Sequence, residues 1–276
     1  MNLRTLGRTG ATVEPVSLGG EGILRTHGRT REAAAMIETA LREGVRYCDT
    51  APAYAESQDY YGEAFGKMQD ARKGVFLASK THERTKRGAL ALLGDSLRRL
   101  RTDHLDLWQM HDLRTAEDLD EMFARGGAIE AAEAAKQAGK IRFIGLTGHQ
   151  DPDILLDAMS RYAFDVVLLP INPADPVRRP FVTTVIPKAR ALGMGVVGMK
   201  VLAAGALVSE GAATAEECIR YAMAHADTLI IGCSSPDEVR ANLQVGRTSE
   251  PMTKDEQLAL EARVARKASR YASFKG

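Results

Sequence analysis

The sequence lacks the features that mark several large classes of protein. Its 276 residues include three cysteines, Cys48, Cys218 and Cys233, which are too few and too scattered for a disulfide framework, a zinc site or an iron–sulfur centre. A formal net charge of +1 gives no basic surface for nucleic acid or an anionic membrane. No apolar run reaches transmembrane length, and residues 1–10 contain no apolar stretch of signal-peptide length. We therefore expect a cytoplasmic globular protein with no nucleic-acid or membrane partner.

Two further motifs are missing. No G-x-G-x-x-G follows any apolar run, which counts against an open dinucleotide-binding sheet. No H-x-H or other close spacing of metal ligands occurs, so we predict no metal site. The hydrophobic share of 45% nevertheless suffices for a large core.

The sequence does contain eight short apolar runs, each bounded by turn residues and followed by a helical pattern. The runs are almost continuously apolar, which is typical of parallel strands buried on both faces. Their spacing is close to the roughly thirty residues that a strand, a crossover helix and two loops require. The runs begin at Val16, Val45, Val75, Leu105, Ile141, Asp165, Gly195 and Thr228.

Eight such repeats predict an α/β protein, and they favour a closed (β/α)8 TIM barrel over an open doubly wound sheet. Two segments lie outside the repeat. Residues 3–6 and 11–14 predict an N-terminal β-hairpin that covers one end of the barrel, and residues 253–270 predict an extra C-terminal helix. Because no linker or low-complexity tract interrupts the pattern, we interpret residues 1–276 as a single domain.

The candidate chemistry lies where the strands end. Active sites of such barrels are found at the C-terminal ends of the strands, so the residue after each run is the position to inspect. Asp49, Lys80 and His111 follow three consecutive runs, and Tyr54 lies in a turn-rich loop just after Asp49. Buried ionisable groups are costly unless they are paired, so their convergence predicts a network of paired and hydrogen-bonded side chains.

These four residue types suit proton delivery to a carbonyl oxygen as hydride reaches its carbon. A phenol with a pKa of about 10 is a poor acid–base group at neutral pH unless a neighbouring cation favours its anion. We expect Lys80 to be that cation, with Asp49 holding its ammonium group and His111 bonding the substrate oxygen or the phenol. Each residue alone is more often structural, so the prediction depends on all four together.

The segments DTAPAYAESQDYYGEAF, FLASKTH and LDLWQMHDL resemble the signature of the aldo/keto reductase family. The resemblance continues in order through GKIRFIGLTGH, GMKVLAAGAL and IIGCSSPDEVRANL, and it covers essentially the whole chain. It implies a TIM-barrel oxidoreductase that transfers hydride between a nicotinamide cofactor and an aldehyde, a ketone or the corresponding alcohol. It also implies a catalytic tetrad of Asp49, Tyr54, Lys80 and His111, in which Tyr54 donates the proton.

The resemblance further implies that the cofactor lies across the barrel mouth. The cofactor-binding positions that it implies are Gly20, Thr147, Gly148, Asn172, Met199, Lys200, Leu202, Gly232, Cys233, Ser234, Glu238 and Asn242. The resemblance leaves the cofactor as either NADP or NAD. Family members specific for the 2′-phosphate place Lys or Arg around Gly232, Ser234 or Glu238, where this chain has no base and Glu238 would repel a phosphate.

Other interpretations stay open at this stage. Lys80 or Lys200 could form a Schiff base in a lyase, and Asp49, His111 and His149 could serve a metal hydrolase. A barrel that binds the nicotinamide cofactor without turnover could act as a regulatory or interaction subunit.

Some pocket features can also be predicted. We expect Lys200 to hold a pyrophosphate or to pair with Asp175. His149 follows the fifth run and could line the pocket. We expect residues 112–117 and 173–180 to form the walls of that pocket.

Overall fold

The computed structural model describes residues 3–275. Eight parallel strands form a closed barrel in which each strand pairs with its sequence neighbours and the last pairs with the first. A separate hairpin of β1 (Arg4–Thr5) and β2 (Thr12–Val13) precedes the barrel. The eight barrel strands are β3 (Val16–Gly22), β4 (Tyr47–Asp49), β5 (Phe76–Thr81), β6 (Leu105–Met110), β7 (Ile141–Thr147), β8 (Val166–Pro170), β9 (Gly195–Met199) and β10 (Thr228–Cys233). The predicted barrel and N-terminal hairpin are confirmed.

Helices connect successive barrel strands on the outside, as parallel pairing requires, and further helices follow the last strand. They are α1 (Thr30–Arg42), α2 (Ser57–Lys67), α3 (Gln69–Lys73), α4 (Lys86–Arg99), α5 (Ala116–Phe123), α6 (Ala128–Gln137), α7 (Pro152–Arg161), α8 (Phe181–Ala191), α9 (Ala206–Ser209), α10 (Ala215–Met223), α11 (Pro236–Thr248), α12 (Lys254–Val264) and α13 (Ala268–Tyr271). Short 3-10 turns lie at Gly7–Thr9, Ile23–Arg25, Asp175–Val177, Ala265–Lys267 and Ser273–Lys275. Within residues 3–275, no helix has both the length and the apolarity needed to cross a membrane.

The N-terminal hairpin closes the end of the barrel at which the strands begin. Leu6, between β1 and β2, is fully buried and belongs to the same apolar cluster as Tyr47 and Phe76, the first residues of β4 and β5. Gly195 at the start of β9 leaves room for it, because a Cβ there would lie 2.8 Å from the Leu6 side chain. The opposite end, where the strands finish, is therefore the open end.

The predicted C-terminal helix is present but not continuous. It runs as α12, passes through the 3-10 turn Ala265–Lys267 and resumes as α13. Beyond α13, the buried Lys275 ammonium donates hydrogen bonds to Asp175 Oδ1 at 2.5 Å and to the Arg178 carbonyl at 2.8 Å. The expectation that Lys200 pairs with Asp175 is therefore wrong, because Lys275 takes that position.

Replacement of Lys275 by Met should lower the free energy of unfolding by about 3 kcal/mol. The change leaves the Asp175 carboxylate buried without its cation, which is among the costlier ways to break an ion pair. Urea unfolding measures the loss. Lys267→Met is the matched control, because Lys267 is exposed and 3.6 Å from Glu210, and surface pairs contribute less than about 1 kcal/mol. Equal, small losses in both variants would show that Lys275 does not anchor the chain end.

Candidate active site

Four predicted catalytic side chains converge at the open end of the barrel. Asp49 is the last residue of β4, Lys80 lies near the end of β5, and His111 directly follows β6. Because β4, β5 and β6 are neighbours in the barrel, their ends deliver these side chains to one place. Tyr54 reaches the same place from the loop between β4 and α2, and its ring centroid lies 5.8 Å from that of His111.

A buried ion pair forms the base of this group. Lys80 Nζ donates to Asp49 Oδ2 at 2.5 Å and to the Thr50 carbonyl at 2.9 Å, and both charged side chains are fully buried. Gln109 Nε2 donates to the other Asp49 oxygen at 3.4 Å. Burial lowers the pKa of Lys80, and the Asp49 carboxylate opposes that shift. An amine enclosed and paired in this way is inaccessible to an external carbonyl, which counts against a Schiff base on Lys80.

Tyr54 lies directly above the ion pair. Lys80 Nζ is 4.7 Å from the centroid of the Tyr54 ring, and the side chain is almost wholly buried. Burial raises the pKa of Tyr54 well above its ordinary value, and the nearby Asp49 carboxylate adds to the increase. Lys80 was expected to lower this pKa, but the net shift is upward because burial outweighs the nearby positive charges. The phenol is thus held in its protonated form, which suits a proton donor.

The position of the Tyr54 ring depends on a glycine. Gly20, in β3, has no side chain, and a Cβ there would lie 2.8 Å from both the Asp49 carbonyl oxygen and Tyr54 Cδ2. Any larger residue would push the ring or the end of β4 aside. Gly20 therefore shapes the site as well as lining it.

His111 is neutral and firmly held. Burial, followed by the charges of Lys80 and His149, lowers the pKa of His111 to about 2. A neutral imidazole keeps one N–H donor and one acceptor for hydrogen bonds. Arg84 holds the backbone here, since its Nη2 donates to the His111 carbonyl at 2.9 Å while its Nε donates to Asp118 at 2.9 Å.

A cavity of about 620 Å³ extends from Tyr54 and Asp49 along the ends of β3, β9 and β10. Eight of the twelve cofactor-binding positions implied by the sequence line it: Gly20, Met199, Lys200, Leu202, Gly232, Ser234, Glu238 and Asn242. Its outer wall comes from residues 204–215, not from residues 112–117 or 173–180, which we expected to form the pocket walls.

The other four implied positions, Thr147, Gly148, Asn172 and Cys233, do not line the cavity. The Asn172 amide donates to the carbonyl just past β9 at 3.1 Å, and the Thr147 hydroxyl accepts from a backbone N–H of the loop after β6 at 3.0 Å. Cys233 is buried and accepts a hydrogen bond from a cavity-lining amide at 3.4 Å. Gly148 leaves no room for a side chain, since a Cβ would lie 2.9 Å from Leu155.

Charged groups mark the two ends of the cavity. Near Tyr54, Glu21 accepts from Arg25 at 3.0 Å and from Lys200 at 3.3 Å. At the far end, Glu238 accepts from the Ser234 N–H at 2.7 Å, beside the first turn of α11. Lys200 is the one cation among the described residues that line the cavity.

His149 belongs to a separate network beside the site. It lies 2.8 Å from Asp112 Oδ1, and Arg114 Nε donates to the other oxygen of the same carboxylate at 2.7 Å. Asp112 has a φ of 54°, a conformation that non-glycine residues adopt rarely. Across residues 3–275, no group of three His, Cys, Asp or Glu side chains is placed to hold a metal ion, which counts against the metal-hydrolase interpretation.

Sequence reasoning missed four residues of this site. Glu21 could have been found, because it follows Gly19–Gly20 at a strand end, and Gln109 is a polar residue inside an apolar run. Arg84 and Arg25 gave no signal. Their roles depend on loop conformations, a 3-10 turn in the case of Arg25.

The fold and this group of side chains define a barrel oxidoreductase of the kind that the sequence resemblance implied. The model of the aldo/keto reductase family matches residues 16–216. The chain therefore belongs to the aldo/keto reductase family, whose members are nicotinamide-dependent oxidoreductases.

Known proteins resemble the chain over most of its length. L-galactose dehydrogenase from Arabidopsis thaliana is 29% identical over 228 residues, which span 76% of this chain and 68% of that protein. The holo form of aldo-keto reductase AKR11C1 from Bacillus halodurans has a TM-score of 0.76 at 25% identity, covering 95% of this chain and 96% of that one. An aldo-keto reductase from Klebsiella pneumoniae, solved with NADPH, has a TM-score of 0.78 at 21% identity over 96% of each chain and supports the fold alone.

Proposed function

We propose that this chain interconverts a small aldehyde or ketone and the corresponding alcohol, using a nicotinamide dinucleotide, with Tyr54 as the proton donor. The observation that carries the proposal is the position of Tyr54. Its buried, protonated phenol lies above the Lys80–Asp49 ion pair, beside neutral His111, and on the wall of the large cavity.

The residues around the cavity fit such a cofactor. A volume of about 620 Å³ is in the range of ligand pockets that bury most of an organic molecule. Lys200 offers a cation for the pyrophosphate, and Met199 offers an apolar surface for the nicotinamide. Ser234, just before α11, and Asn242, in its middle, offer hydrogen bonds to the adenosine end. A reduced nicotinamide held by these residues would provide the hydride for the carbonyl carbon.

The chain's own groups act on the carbonyl oxygen. Tyr54 donates its proton to that oxygen, and neutral His111 donates a hydrogen bond that positions it. The Lys80–Asp49 pair fixes the plane of the Tyr54 ring. Proton transfer by a positioned side chain accelerates a reaction by about 100- to 10,000-fold. We assign a rate acceleration of this size to Tyr54.

The rate of reduction should vary little with pH between about pH 6 and pH 9. His111 takes up a proton only near its lowered pKa of about 2, and Tyr54 loses its proton only above its raised pKa. Neither group therefore changes its charge in that range. A steady-state profile of kcat tests this expectation. A basic limb with a midpoint near pH 7 would mean that the proton donor is a different group.

We further propose that NADH is preferred to NADPH. Glu238 places a carboxylate at the adenosine end and already occupies the Ser234 N–H, a donor that a 2′-phosphate would need. Glu238→Gln removes the charge but keeps the acceptor, so it should improve kcat/KM for NADPH relative to NADH by about ten-fold. Asp237→Asn is the control, because Asp237 is exposed and pairs with Arg240. An unchanged cofactor ratio in Glu238→Gln would contradict this placement of the adenosine.

The proposal is tested by titrating the purified protein with NADH and NADPH and then following cofactor oxidation with a panel of small aldehydes and ketones. The reverse reaction is run with L-galactose, because the Arabidopsis relative carries that name. Saturable binding with turnover supports the proposal. Binding without turnover of any substrate would point to a cofactor-binding subunit, and absence of binding would remove the proposal altogether.

A further inference from the structure

Arg25 is a cation close to the candidate proton donor, and it is not among the residues that we propose to bind the cofactor. Its guanidinium carbon lies 5.1 Å from the centroid of the Tyr54 ring, on the 3-10 turn that follows β3. The side chain is 47% exposed, so its outer N–H groups are open to solvent beside the barrel mouth. A guanidinium has five N–H donors. Within the described part of the chain, Arg25 uses one donor, to Glu21.

Arg25 differs in this respect from the other arginines near the site. Arg84 is almost wholly buried and donates to Asp118 and to the His111 carbonyl. Arg114 holds the Asp112 carboxylate with two of its N–H groups. Arg84 is committed to the protein itself, and Arg114 lies beside Asp112 and His149 instead of over the Tyr54 ring. Within residues 3–275, Arg25 combines unused donors with a position over that ring.

The charged groups near Tyr54 are paired, but one of the pairs shares its carboxylate between two cations. Asp49 is matched by Lys80, and Asp112 is matched by Arg114. Glu21 is shared between two cations, Arg25 at 3.0 Å and Lys200 at 3.3 Å. If Lys200 engages the pyrophosphate, as proposed above, Arg25 is the cation that remains beside the candidate proton donor.

We infer that Arg25 binds the carboxylate of the substrate, and that the substrate class is carbonyl compounds that carry a carboxylate. This inference rests on the proposed carbonyl reduction. A carbonyl oxygen at Tyr54 places the rest of a small substrate within reach of the guanidinium that lies over the same ring. Arginine donates two parallel hydrogen bonds to a carboxylate, which adds orientation to charge attraction. Arg25 would thus select the substrate and turn its carbonyl towards Tyr54.

The experiment compares each acid with its own primary amide, which has nearly the same shape but no charge. The pairs are glyoxylate, 3-oxopropanoate, 4-oxobutanoate and 4-carboxybenzaldehyde with their amides, so that the distance from carbonyl to carboxylate varies. The quantity measured is the ratio of kcat/KM for acid over amide. It is determined for the wild type, for Arg25→Gln, and for Arg31→Gln as the matched control on the exposed face of α1.

We expect at least one pair to give a ratio above about ten in the wild type and in Arg31→Gln, and a ratio near one in Arg25→Gln. Because a ratio is measured, any general loss of activity in Arg25→Gln cancels. Added salt should lower the wild-type ratio but not that of Arg25→Gln. Equal turnover of acids and amides by the wild type, or the same ratio in both arginine variants, would overturn the inference and leave the proposed reduction intact. Absence of turnover with every acid and every amide would overturn both.

Discussion

Tyr54→Phe is expected to lower kcat for carbonyl reduction by about 100- to 10,000-fold while cofactor affinity stays the same. The substitution removes the phenolic oxygen and keeps the ring that packs against Lys80 and His111. The free energy of unfolding should change by less than about 1 kcal/mol. The loss should therefore appear in kcat, with the cofactor dissociation constant unchanged.

Tyr162→Phe is the matched control for this experiment. Tyr162 packs against Phe164 at a centroid distance of 4.9 Å, just past α7 and away from the cavity. Its variant should keep full activity. If Tyr54→Phe retained more than about a tenth of wild-type turnover, another group would be delivering the proton and the role given to Tyr54 would be wrong.

Lys80→Met should damage both stability and activity. It leaves the Asp49 carboxylate fully buried beside only Gln109, and a buried charge that loses its partner costs about 3–5 kcal/mol. Activity should fall as well, because the ring of Tyr54 loses the ammonium group beneath it. Urea unfolding and initial rates measure the two losses separately.

The double variant Asp49→Leu, Lys80→Met separates stability from catalysis. Replacing both members of a buried ion pair by apolar residues is often neutral or stabilising, so the free energy of unfolding should return towards the wild-type value. Activity should not return, because nothing then fixes Tyr54. Recovery of turnover in the double variant would show that the pair serves the fold alone.

Much of the architecture could be predicted from the sequence, because the barrel repeats one local pattern eight times. Each apolar run is long enough to form a buried strand, and the spacing between runs leaves room for one helical crossover. The rule that active sites lie at strand ends then predicts from the sequence alone that Asp49, Lys80 and His111 converge.

What could not be predicted depends on contacts between segments far apart in the chain. Lys275 pairs with Asp175 across a hundred residues, and no local pattern distinguishes it from Lys200 as the partner. The pKa of Tyr54 depends on burial and on the nearby Asp49 carboxylate, which the order of residues does not reveal. Arg25 reaches Tyr54 only because a 3-10 turn follows β3.

The central claim is that this site transfers hydride to a carbonyl carbon with Tyr54 supplying the proton. The most direct test incubates the protein with NADH deuterated at the transferable position and an aldehyde that it turns over, and then analyses the alcohol by mass spectrometry. Our account predicts one deuterium per alcohol with the wild-type protein and almost no alcohol with Tyr54→Phe under the same conditions. Alcohol without deuterium, or equal product from both proteins, would contradict it.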